Sequence, residues 1–155
     1  MSIAITSPIT GLAQTGLTSP TYTVATDVAP DINGKQVAVT ALGGTQTGVR
    51  THAVSDPFTI TFFRPRTPKA LQSANPVTGR FGTIPKNTYS IVLRKGVNYA
   101  ANQAPEVFLA RCTFEVPAGS DAYDSANIRA GLSALAGAIS QQSAGLGDLL
   151  INNVI

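Results

Sequence analysis

The sequence holds one cysteine (Cys112), one histidine (His52) and no tryptophan in 155 residues. A single thiol excludes an internal disulfide and every multi-cysteine metal site, and one imidazole leaves metal chemistry almost no soft ligand. No metal and no other cofactor is expected. Charged residues make up only 12% of the chain, about half the roughly 25% of an average soluble domain. A surface so poor in charge implies that other copies of the chain cover much of it. No apolar run approaches the roughly 20 residues that span a bilayer, and Met1–Ile5 carries no basic residue of the signal-peptide kind. No membrane partner is expected, and synthesis and use in the cytosol are.

Catalytic patterns are missing too. There is no paired-carboxylate motif, no nucleophile elbow and no phosphate-cradling glycine loop that opens a helix; Gly43-Gly44 reads as a turn. Asp56 or Asp31 with His52 is the only conceivable acid–base pair. The sequence therefore predicts no catalytic residue and no small-molecule substrate. Cys112 falls on the apolar side of its predicted strand, as a small hydrophobe rather than a reactive thiol.

Acid is scarcest where base is concentrated. Residues 35 to 95 hold nine basic residues and one acid, Asp56, for a net +8; residues 1 to 34 carry −2 and residues 96 to 155 carry −3. Such a block attracts phosphates, because each phosphate neutralised releases a condensed counterion. Nucleic acid is the first candidate partner.

The first 100 or so residues are rich in Thr, Val, Ile, Gly and Pro, which favours short strands and turns. Asn33-Gly34 is a strong turn signal, and Gln36 to Leu42 reads as a strand with Val37 and Val39 on one side. Three runs define the centre of an antiparallel sheet: Phe58 to Phe62, Tyr89 to Leu93 and Val107 to Val116. Period-two alternation puts Phe58, Ile60, Phe62, Ile91, Leu93, Cys112 and Phe114 on one face. Thr59, Thr61, Ser90, Arg94, Arg111 and Thr113 fall on the other, a set of donors suited to phosphate and bases. Thr67 to Lys86 reads as a long loop and Asn98 to Pro105 as a short one.

After Pro117 the period changes. Ile128, Leu132, Leu135 and Ile139 recur at spacings of four, three and four, which predicts a helix with one apolar stripe. Ser120 or Ser125 can cap it, Gly145 and Gly147 interrupt the pattern, and Leu146, Leu149, Leu150 and Val154 mark a second helix after a cap at Ser143. The fold class is α+β: an antiparallel sheet with an N-terminal hairpin, then two C-terminal helices, in one domain over 1–155 that is β-rich to 117 and helical from 120. A monomer of that design leaves strand edges and the helix stripe uncovered. An intertwined homodimer that joins two sheets edge to edge and crosses the helices covers both, with Ile128, Leu132, Leu135, Ile139, Leu146, Leu149 and Leu150 at its interface.

Two stretches carry a family resemblance. Asn87-Thr88-Tyr89-Ser90-Ile91-Val92-Leu93-Arg94-Lys95 is similar to a central strand, and Val107 to Glu115 followed by Ala126 to Leu135 to the last strand and first helix, of the coat proteins of single-stranded RNA bacteriophages of the levivirus type. The layout resembles that family over essentially the whole length. The resemblance implies a five-stranded sheet with an N-terminal hairpin, helices swapped in a dimer, and an icosahedral shell around genomic RNA in a virion assembled in the bacterial cytoplasm. It also implies that the sheet face opposite the helices binds an RNA hairpin, as translational repressor and packaging signal. By strand position the contacts are Thr59, Thr61, Ser90, Arg94, Arg111 and Thr113, with Arg64 and Arg66 at a strand end. The short 98–105 loop and the long 67–86 connection depart from the family. The competing reading is a non-viral β-rich module, either nucleic-acid-binding or adhesin-like; few aromatics stand among the basic residues for the first, and no export signal is seen for the second.

Overall fold

The structure is a computed structural model that describes residues 2–155. Six strands, β1 (Ile9–Thr10), β2 (Thr18–Asp27), β3 (Gly34–Thr45), β4 (Phe58–Phe63), β5 (Lys86–Val97) and β6 (Glu106–Pro117), precede three helices, α1 (Ser120–Tyr123), α2 (Ser125–Gln141) and α3 (Ser143–Asn152). The strands form one antiparallel sheet in sequence order, each paired with the next. The N-terminal hairpin is thus continuous with the main sheet, which has six strands rather than five. Among the described residues no helix is long and apolar enough to cross a membrane.

The register fixes which side chains share a face, because directly opposed residues point the same way. One row crosses Val37, Ile60, Leu93 and Ala110, and the next crosses Lys35, Phe62, Ile91 and Cys112. This is the apolar face. On the opposite face, one row crosses Asp27, Gln36, Thr61, Val92 and Arg111, and its neighbours cross Ala38, Thr59, Arg94 and Leu109, and Gly34, Phe63, Ser90 and Thr113. The hydroxyl and arginine face expected from period two is the observed one.

Four local expectations are corrected. The turn before β3 forms, with the Gly34 N–H donating to Asp31 O at 2.9 Å, but neither Asn33 nor Gly34 has positive φ. Glycine is needed at 34 for space: a Cβ there would lie 2.8 Å from Cε1 of Phe63. Gly43-Gly44 is not a turn but lies inside β3, beside a register shift between Thr18 and Thr21. Gly44 takes φ 72° there and meets the backbone of Thr18 and Ser19, so the irregularity demands glycine. None of Ser120, Ser125 and Ser143 caps a helix, since Gly119, Asp124 and Gln142 stand at the cap positions without side-chain cap bonds; Ser143, the first residue of α3, donates from Oγ to Ala13 O at 2.7 Å, while Gln14 Nε2 donates to Ser143 O at 2.7 Å. These bonds tie α3 to the loop ahead of β2. The glycines at 145 and 147 sit within α3, and the helix break falls at Gln142 instead.

The buried apolar residues among those described are few: Val37, Ala38, Val39 and Ala118. Helix α2 buries no residue at all. Leu132 is 52% exposed and Leu150 70%; Leu135, Ile139 and Leu146 are also exposed, and Ile128 and Leu149 half-buried. A cleft of about 700 Å³ opens on the apolar face beside Phe62, Ile91, Phe114 and Leu132.

Candidate nucleic-acid interface

On the polar face, Arg94 of β5 and Arg111 of β6 are diagonal neighbours, since Arg94 opposes Leu109 while Arg111 opposes Val92. Both are exposed, and neither forms a salt bridge among the described residues. Thr113 stands exposed two residues beyond Arg111, opposite half-buried Ser90. Ser90, Arg94, Arg111 and Thr113 therefore form one contiguous patch with two free guanidinium groups, each a fork of donors that matches phosphate and base edges.

Thr59 and Thr61 stand on the same face but beneath its surface, 3% and 2% exposed. The Thr61 hydroxyl donates to Gln36 Oε1 at 2.6 Å, and Gln36 Nε2 donates to Asp27 Oδ2 at 2.6 Å. This ladder across three strands holds the Asp27 carboxyl below the usual carboxylate range, with the Gln36 bond the main cause and the Val28 N–H a second. Thr59 Oγ1 is buried without a partner among the described residues, on the residue directly opposite Arg94. Neither hydroxyl reaches solvent in the protomer, so both support the patch rather than present it. Arg64 lies apart: beyond the end of β4, its N–H donates to Asn33 O at 3.2 Å, and it borders the cleft on the apolar side with Ile32 and Phe62. Arg66 is exposed at the start of the long β4–β5 connection.

The one acid of the basic block has a structural task. Asp56 is 7% exposed and bonds both Arg50 Nε and Lys95 Nζ, the latter at 3.1 Å. The Arg50 guanidinium, with Lys95 added, holds its carboxyl below the ordinary range against the opposing effect of burial. Arg50 Nη2 also reaches Gly96 O at 3.2 Å and Asn98 Oδ1 at 3.1 Å. Lys95 lies over the Phe58 ring at 5.1 Å. His52 accepts the Phe58 N–H on Nδ1 at 3.1 Å. Of the three side chains conceivable in an acid–base pair, Asp56 is thus engaged in an ion cluster and His52 on a backbone group, while Asp31 is exposed. Among the described residues no group of three or more His, Cys, Asp or Glu side chains converges to hold a metal. Sequence reasoning missed the Asp56 cluster; its signal was a lone acid within nine bases.

The sheet has one apolar and one arginine-bearing face and is followed by C-terminal helices with an exposed apolar stripe, and the chain belongs to the bacteriophage coat-protein family. It is similar to the chain in the solved structure of the virus-like particle of bacteriophage ESE020, with 54% identity and a TM-score of 0.96 over 99% of this chain and 100% of that one. No protein-family model and no curated protein matches it. The protein is a capsid component, and its place is the virion.

Proposed function

We propose that the chain dimerises, that the dimers close into an icosahedral shell, and that the polar sheet face binds single-stranded genomic RNA inside it. One observation carries the dimer. A compact monomer of 16.0 kDa exposes about 7,400 Å², whereas this protomer exposes 11,064 Å². The excess, roughly 3,700 Å² on one chain, is more than the roughly 1,000–2,500 Å² that each partner of an obligate pair hides, which leaves area for contacts between dimers as well. Its location supports the same reading: the outer edge of the 12-residue strand β6 has no partner strand among the described residues, and Leu132, Leu135 and Ile139 of the α2 stripe are left exposed. Two β6 edges in antiparallel register would complete one continuous sheet, and each α2–α3 pair would then lie on the partner's apolar face.

The RNA reading rests on Arg94 and Arg111 with Ser90 and Thr113, free cations and hydroxyls on a rigid sheet. A flat face with such donors suits a folded hairpin whose loop bases are splayed out, the form in which RNA sequence is usually read. Binding one such hairpin on the viral messenger would repress translation and mark the genome for packaging. Sedimentation equilibrium of the subunits released from particles tests the foundation: a dimer that loses its helical signal when it dissociates is expected, and a stable folded monomer would overturn the proposal.

A further inference from the structure

The long β4–β5 connection is the largest feature that the sheet-face reading leaves without a role. From Pro57 to Pro105 the chain has no Asp or Glu. The connection holds Lys69 and Arg80, both exposed and without a salt-bridge partner among the described residues. It is nevertheless built, not slack. Asn87 clamps the backbone of Lys69 from both sides, accepting its N–H at 2.7 Å and donating to its carbonyl at 3.0 Å. Leu71 packs against Gly119, whose φ of 87° and lack of a Cβ allow the close approach.

The tip closes on itself. Asn75 Oδ1 accepts from the N–H groups of Val77 and Thr78 at 2.9 and 3.2 Å. The Asn75 N–H donates to Arg80 O at 2.8 Å, and the Gly79 N–H to Asn75 O at 2.8 Å. Arg80 is therefore the closing residue of a fixed turn, and the next residue, Phe81, is 50% exposed. A cation beside an exposed aromatic ring is the pairing that holds single-stranded nucleic acid without reading its sequence: the cation takes a phosphate and the ring stacks on whatever base follows.

We infer that this turn, with Lys69 behind it, is a second RNA-binding site, independent of the sheet patch and indifferent to sequence, that holds unpaired genomic segments. The inference rests on the RNA-binding reading above. A neighbouring subunit is the competing partner, since Asp31, Glu106 and Asp121 are exposed and without a salt bridge among the described residues; particle assembly is therefore read beside RNA binding.

The test uses full-length dimers and a short labelled oligouridylate, which has no hairpin, titrated over a range of salt. Lys69→Ala/Arg80→Ala is expected to flatten the plot of log K against log salt by about 1.4, at roughly 0.7 for each phosphate of a single strand that is no longer neutralised. Phe81→Ala is expected to weaken binding by roughly tenfold with the slope unchanged. Slopes and affinities equal to the parent's in both variants, while Arg94→Ala still loses affinity for its RNA, would overturn the inference and leave the sheet reading standing. Loss of particle assembly with unchanged oligouridylate binding would also overturn it, and would assign the loop to a subunit interface. No RNA binding by the parent at any salt would remove the underlying reading as well.

Discussion

The carboxylate of Asp56 lies against the backbone of Gly96 so closely that residue 96 has no room for a Cβ. The contact joins two loops at one end of the sheet: Asp56 closes the β3–β4 connection, and Gly96 and Asn98 lead into the β5–β6 loop. Gly96→Ala is expected to push the buried carboxylate off Arg50 and Lys95 and cost about 2 kcal/mol, as overpacking of a filled site does. Thermal unfolding of dimers checks it; an unchanged midpoint would mean that the cluster yields without cost.

Acid should act on the same cluster. The folded-state pKa of Asp56 is depressed, so its contribution is fully present above the unfolded value of about 3.9 and is lost as pH falls through the lower folded value. Asp56→Asn is expected to cost about 3 kcal/mol at neutral pH, because Lys95, half-buried, is left beside a neutral amide. It should also flatten the fall in stability below about pH 4. Denaturant titrations of parent and variant at neutral and acid pH check both parts; parallel pH profiles would contradict the assignment.

Arg94→Ala should weaken binding of the viral RNA hairpin and lower the salt slope by about 0.7 to 0.9, the equivalent of one phosphate. The circular dichroism spectrum should not change, since the side chain is exposed and unpaired. Thr61→Val offers the contrast: it breaks the ladder through Gln36 to Asp27 and should cost stability, about 1 kcal/mol, with little direct effect on RNA.

Leu132→Asp or Ile139→Asp would place a charge on the α2 stripe. Within one protomer these side chains are exposed, so an isolated subunit would tolerate the change. In the crossed-helix dimer it buries an unpaired carboxylate. Loss of dimers and particles from the soluble fraction is expected, measured by sedimentation; intact particles would argue that α2 faces solvent.

The two faces of the sheet were legible from the sequence because alternation is a local property and the strands pair in simple meander order, so period two along β4, β5 and β6 carries straight across the register. The α2 stripe was legible for the same reason. Gly43-Gly44 misled because glycine pairs signal turns locally, while the bulge opposite Thr18 to Thr21 depends on a distant strand. The burial of Thr59 and Thr61 was hidden because it depends on the size of cross-strand neighbours. Asp56 meets Lys95 across 39 positions of sequence, and no periodicity reports such a pairing.

The central claim, a self-closing shell that takes up RNA, is tested most directly by negative-stain electron microscopy of the protein expressed alone in bacteria, with the 260/280 nm absorbance ratio of the purified material. Closed particles with a nucleic-acid-like ratio are expected. A small monomer free of nucleic acid would contradict the account.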